Sequence, residues 1–176
     1  AYALIAYQTA YLKAHYPLEF LAALLNSEIN QTTALAKHIM EAREQGIGLL
    51  PPDINLSGVN FTIEPAPGTK HGQAIRFALA SIKNVGEGAV GEVVAAREED
   101  GPFQSTDDFC RRAVVQALNK RVLESLIKAG AFDSMARRRQ LLAVLDRLIS
   151  TSQVTQHARN IGQGSLFDFL PSVVAV

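Results

Sequence analysis

Cysteine is almost missing from this sequence of 176 residues. Cys110 stands alone, cannot close an internal disulfide, and points to a reducing, intracellular setting. Histidine is nearly as scarce: His15, His38, His71 and His157 are scattered, at no ligand spacing with Cys110, which argues against a structural zinc site. No apolar run reaches the roughly 18 residues that cross a bilayer. No basic stretch leads into a short apolar segment with a small-residue cleavage site, so neither a membrane span nor a signal peptide is expected. The sequence also lacks a phosphate-binding P-loop, a Gly-x-Ser-x-Gly elbow and a histidine placed to activate Cys110. Asp107 and Asp108 are adjacent and so diverge on any regular element, whereas a two-metal centre needs carboxylates converging on ions about 4 Å apart. The expectation is no catalytic residue and no metal site within this chain.

Net charge is missing too, but only in total. Seventeen Lys and Arg cancel seventeen Asp and Glu. Residues 1–100 carry 7 bases and 11 acids, net −4, while residues 101–176 carry 10 and 6, net +4. Between Arg111 and Arg147 nine bases face three acids, a candidate surface for an anionic partner. A composition of 48% hydrophobic and 19% charged residues, with mean hydropathy +0.08, is that of a globular chain forming one compact domain or two small ones. The opening Ala1-Tyr2-Ala3-Leu4-Ile5 has no initiator Met and is already in a helical pattern, as in an excerpt of a longer protein.

The pattern predicts a mainly α fold with a small β-hairpin. Residues 2–15 are apolar or aromatic nearly all round, as in a helix buried on several sides. Pro17 suits the first position of a second helix, to Leu25, and a third runs over about 33–45 with Gly46 as its stop. Residues 59–63 alternate as a strand, 65–73 form a turn-rich loop and 74–80 return as the second strand. Helices are expected again at about 88–98, 106–112, 120–128 and 136–150, followed by a polar, flexible tail.

Ile82-Lys83-Asn84-Val85-Gly86-Glu87-Gly88-Ala89-Val90 is the sharpest local feature. Two glycines one residue apart permit a tight turn with positive φ and no Cβ in the way. The N–H groups of the turn and of the following helix are then free to face an anion, with Lys83 beside them. Val85, Val90, Val93 and Val94 are spaced to pin two short helices together, the helix-hairpin-helix design, which holds a nucleic-acid phosphate through main-chain donors and ignores base sequence. An ordinary tight turn is the bland alternative. A second such unit is expected at residues 119–139: a helix with Lys120, Arg121 and Lys128, a turn at Gly130, and Asp133 or Ser134 capping a helix that opens Arg137-Arg138-Arg139. Its bland reading is a solvated charged face. In the tail, Gln163-Gly-Ser-Leu166-Phe167 offers one polar anchor and two apolar plugs to a partner's pocket, unless the tail folds back on its own domain.

Four segments, Ala1–Phe20, Leu50-Pro-Pro-Asp-Ile-Asn55, Ser81–Gly88 and Asn119–Asp133, together resemble one family: the alpha subunit of bacterial DNA polymerase III. The resemblance covers the end of its fingers domain and the tandem helix-hairpin-helix region, and runs in the family's order over nearly the whole chain. It implies fingers helices with a small β-hairpin at residues 1–80, a DNA-binding domain at 81–150, and a tail at 151–176 with a sliding-clamp motif. The intact protein would be a template-directed DNA polymerase whose Mg2+-bound aspartates lie upstream, so this piece should be inactive alone and need no cofactor. Its share would be holding duplex primer-template DNA through Lys83, Asn84, Val85, Gly86, Glu87, Gly88, Lys120, Arg121, Lys128, Gly130, Arg137 and Arg138. Gln163, Leu166 and Phe167 would bind the clamp, which favours the main replicative enzyme over error-prone paralogues. Other holoenzyme subunits are implied as partners, a membrane is not, and the place is the cytoplasm. The second unit departs from the first in having the single Gly130 where the first has two glycines. The rivals are a stand-alone DNA-binding module of a repair or uptake protein and a plain helical scaffold.

Overall fold

Pro17 opens a helix with a ring that fixes φ and gives up an amide that no helix end could bond. In the computed structural model, which describes residues 2–113, 119–147 and 149, that helix is the middle one of three. They are α1 (Tyr2–His15), α2 (Pro17–Ser27) and α3 (Thr32–Glu44). α2 turns Leu18, Leu21, Ala22 and Leu25 inward, and α3 adds Leu35 and Ala42. Gly46 ends α3 as expected, in the left-handed region at φ 73°. The Ile47 N–H bonds the Ala42 carbonyl and the Gly46 N–H that of Arg43, the paired bonds of a Schellman stop.

α1 is helical as its pattern requires, but its expected burial is not found. None of its residues is buried, with Tyr2 90% and Tyr7 66% exposed. α2 packs beside it and Lys13 reaches Glu41 of α3, contacts that leave most of a cylinder uncovered. An all-round apolar pattern reports what a helix is able to bury, not what lies against it in this chain.

The sheet has three strands rather than two: β1 (Gly48–Leu50), β2 (Thr62–Pro65) and β3 (Gln73–Arg76), in the order β1-β3-β2. β2 and β3 form the expected antiparallel hairpin, pairing Thr62 with Arg76 and Pro65 with Gln73. β1 lies parallel to β3, Gly48 opposite Ala74. Three residues are too few for alternation to show, so β1 has no signature in the sequence. A Cβ on Gly48 would sit 2.7 Å from Thr69 Cγ2 and 3.0 Å from Ala74 Cβ, so only glycine lets this edge strand under the hairpin loop. The strands are also shorter than expected. Phe61 leaves the ladder and trades both backbone bonds with the Asn26 side chain, N–H to Oδ1 at 2.7 Å and O to Nδ2 at 3.0 Å. Leu79–Ser81 is a 3-10 turn, not strand.

The Pro51–Asn55 loop ties the sheet region to the helices that follow it. Ile54 N–H donates to the Ala131 carbonyl at 2.8 Å, and Arg97 Nη1 donates to the carbonyls of Ile54 and Ser57. Asn55 repeats the device of Asn26: its amide pairs both backbone groups of Phe103, at 2.8 and 2.9 Å. Beyond it lie α4 (Glu87–Asp100), α5 (Thr106–Arg112), α6 (Lys120–Ala129) and a helical stretch over 138–147. One buried cluster runs from Leu18 on α2 to Leu145.

Side-chain caps explain why α5 and α6 begin where the sequence places them. Ser105 Oγ accepts from the Asp108 N–H, while Asp108 Oδ2 accepts from Gln104 N–H and from Arg112 Nη1. The Gln104 amide, ahead of Arg112, holds the Asp108 carboxyl below its ordinary value. Arg112 also bonds the carbonyls of Ala96 and Gly101 and covers the Phe103 ring at 4.6 Å. This base is part of the frame and does not belong to a solvated charge run. Beneath it Phe109 stands edge-on between Phe103 and Phe132, ring centres 5.0 Å apart on each side.

Candidate nucleic-acid interface

The first hairpin is a turn between the 3-10 segment Leu79–Ser81 and α4. Val85, Val90 and Val93 are buried beneath it and Val94 partly so, the pinning that their spacing implied. Its first arm is a single 3-10 turn, shorter than the expected helix. The glycines are not where positive φ is needed, a correction to the expectation. Gly86 is extended (φ −85°, ψ 154°) as the N-cap of α4, Gly88 is helical, and the left-handed residue is Asn84 at φ 69°. What the glycines provide is space: a Cβ on either would meet no heavy atom within 4 Å. Neither the backbone nor the packing of the described residues demands glycine there, so both positions stay open to whatever approaches from outside.

The donors are free to meet such a visitor. Val85 turns its side chain inward and its N–H bonds the Ile82 carbonyl at 3.0 Å, so it presents no donor. The next four amides, of Gly86, Glu87, Gly88 and Ala89, donate to no described group, and the helix ladder resumes with Val90 N–H to Gly86 O. Gly86, Glu87 and Gly88 are exposed, as is Lys83, whose side chain pairs with no described residue. Four open N–H groups at a helix N-terminus are an anion cradle.

The second hairpin is built differently. Asn119 Oδ1 caps α6 by accepting from Val122 N–H at 3.0 Å. Gly130 closes α6 at φ 90°, with the same paired Schellman bonds as Gly46. A Cβ there would collide with the guanidinium of Arg138 and lie 2.8 Å from Asp133 Oδ2, so here glycine serves the fold itself. The expected N-cap at Asp133 or Ser134 is not found. Residues 131–136 are turns and bends, the helix starts at 138, and the Asp133 carboxylate is bonded to Arg138 instead of to backbone amides. Arg138 pulls that carboxyl below its ordinary value, and also reaches the Lys128 carbonyl.

Among the remaining bases, Lys120 pairs with Asp146 and Lys128 with Glu124, whereas the side chains of Arg121, Arg137 and Arg139 pair with no described residue. The Asp146 hydrogen bond raises the Lys120 ammonium and the Lys128 bond lowers the Glu124 carboxyl. Sequence reasoning missed Ser125. Its hydroxyl accepts a hydrogen bond from Asn84 Nδ2 at 3.1 Å and so brings the two hairpins together. The signal was present: Arg121, Ser125 and Lys128 lie at i, i+4 and i+7, one side of α6. Gln163, Leu166 and Phe167 lie outside the described residues.

Two glycine-turn units on one core, the first presenting open amides, define the class, and residues 46–142 match the family described as "Helix-hairpin-helix motif". The chain belongs to that family. Among known proteins it is 46% identical to DNA polymerase III subunit alpha of Thermus aquaticus over 167 residues, 95% of this chain and 13% of that protein. The same subunit of Neisseria meningitidis serogroup B is 46% identical over 175 residues (99% and 15%), and that of Caulobacter vibrioides 43% over 168 (95% and 14%). The chain thus spans about one seventh of the length of these relatives.

Proposed function

We propose that this chain holds double-stranded DNA by its sugar–phosphate backbone, without reading base sequence, as the DNA-gripping part of a replicative polymerase. The observation that carries this reading is the row of four amides at residues 86–89 with no partner among the described residues, two of them on glycines whose outer faces are open. Lys83, Arg121, Arg137 and Arg139 supply cations on the same two hairpins that pair with no described residue. Backbone binding releases counterions, so affinity should fall steeply with salt, with a log–log slope of about −0.9 per phosphate engaged. The test is titration of two duplexes of unrelated sequence across a salt series. The reading expects matching affinities and a shared slope of roughly −3 or steeper. Sequence-selective binding, or binding indifferent to salt, would contradict it.

The polymerase context rests on the relatives' names and on the extent of the likeness. It reaches 95–99% of the chain in the relatives above, beyond the matched residues 46–142 on both sides, more than a free-standing hairpin module requires. In this reading the longer protein performs template-directed nucleotide transfer in the cytoplasm with Mg2+ held by parts outside this chain. Among the described residues no cluster of three His, Cys, Asp or Glu is placed to hold a metal ion, and no step of the transfer is assigned to them. No helix among them is long and apolar enough to cross a membrane.

The same reading gives Gln163, Leu166 and Phe167 the role of a tether to the sliding clamp, supported by their Gln-x-x-Leu-Phe spacing. Replacing Leu166 and Phe167 together by Ala should abolish capture of the clamp in a pull-down and leave duplex affinity unchanged. Clamp capture that survives the double change rejects the tether.

A further inference from the structure

Asn84 is the one non-glycine residue with positive φ among the described residues. A left-handed backbone costs most L-residues on the order of 1 kcal/mol or more; Asn adopts it more readily, and its side chain can fix it through a hydrogen bond. Here the constraint is visible. Asn84 Nδ2 donates to Ser125 Oγ at 3.1 Å, and Ser125 Oγ donates in turn to the Arg121 carbonyl at 2.8 Å. The bond joins residues 41 apart in the chain and is exposed, so its worth to global stability is small. Its position is another matter. Asn84 stands two residues before the first open amide, and Ser125 lies between Arg121 and Lys128 on their side of α6.

We propose that Asn84 and Ser125 are positioning residues. Their hydrogen bond holds the amide cradle of the first hairpin against the cationic side of α6, so that amides and cations engage one stretch of duplex backbone together. Asn84 then acts through Ser125 and needs no contact with DNA. This inference rests on the reading that the hairpins hold duplex DNA.

The test uses Asn84→Gly, which keeps the left-handed turn, Ser125→Ala, their double variant and Ser125→Thr, each titrated with one short duplex over a salt series. Each of the first two should weaken binding about threefold to tenfold and flatten the salt slope by about 0.9 for each phosphate no longer engaged. The double variant should be no weaker than either single one, Ser125→Thr should bind normally, and melting temperatures should stay close to that of the unaltered chain. Unchanged affinity and slope in both single variants would overturn the proposal alone, as would additive losses in the double variant. Affinity lost in step with melting temperature would reduce the bond to a plain fold contact and overturn it equally. Absence of salt-dependent duplex binding by the unaltered chain would overturn the functional reading and this inference with it.

Discussion

Phe109→Ala should cost roughly 3–5 kcal/mol of stability. The ring is 1% exposed and stands edge-on to both Phe103 and Phe132. Such pairs contribute about 0.5–1.5 kcal/mol each beyond the area they bury. A small pocket of about 10 Å³, open on one side, already lies beside Phe109, between Leu123, Ile127, Phe132 and Leu145. Deleting the ring enlarges a void whose walls belong to α5, α6, the turn after Gly130 and the helical stretch from 138. Urea unfolding followed by circular dichroism measures the effect, and Phe109→Leu, which refills part of the space, should recover a large share. A loss below about 1 kcal/mol would show that the aromatic stack does not organise the second hairpin.

The largest functional effect should come from Gly86→Val combined with Gly88→Val, a drop of about tenfold to a hundredfold in duplex affinity. That size follows from hydrogen bonds to a charged group, worth about 1.5–3 kcal/mol each, with one removed outright once a side chain stands in front of the amides. A Cβ at either position meets no heavy atom within 4 Å in the free protein, so both new side chains start out in open space. Val at the N-cap weakens α4 by roughly 1 kcal/mol, so the fold should survive. Gly88→Ala separates the two properties further: alanine is at least as good a helix former as glycine, so stability should hold or rise while affinity falls. Fluorescence anisotropy with a labelled duplex, paired with thermal melts, reads both. Affinity that follows stability in this series would place the DNA elsewhere.

The sequence was most legible where a single residue terminates a helix. Gly46 was expected as a stop and Gly130 as a turn, and α5 and α6 fall within a residue of their expected limits, where Ser105 and Asn119 cap them through bonds made within a few residues. What was hidden is held by bonds between distant residues. β1 exists because Gly48 slides under Thr69, and the strand edge stops at Phe61 because Asn26, 35 residues earlier, takes its backbone groups. α1 misled for a related reason, since its pattern describes a capacity for burial and depends on neighbours that a sequence window does not contain.

The candidate interface shows the same division. Gly86 and Gly88 stood out on spacing alone, yet the reason expected for them, positive φ, belongs to Asn84. The open space around them became visible only in the structure. Arg138 and Arg137 look alike in a run of arginines, but one closes over Asp133 and the Gly130 turn while the other pairs with no described residue. Charge counting sees the run. It does not see which cations the fold has already used.

The most direct measurement is a two-dimensional amide NMR titration of the chain with short duplexes of unrelated sequence. If main-chain donors clasp the phosphates, the resonances of Gly86, Glu87, Gly88 and Ala89 move progressively and alike for every duplex, and rising salt returns them. Peaks for those four that stay fixed while signals elsewhere shift would contradict the account at its centre.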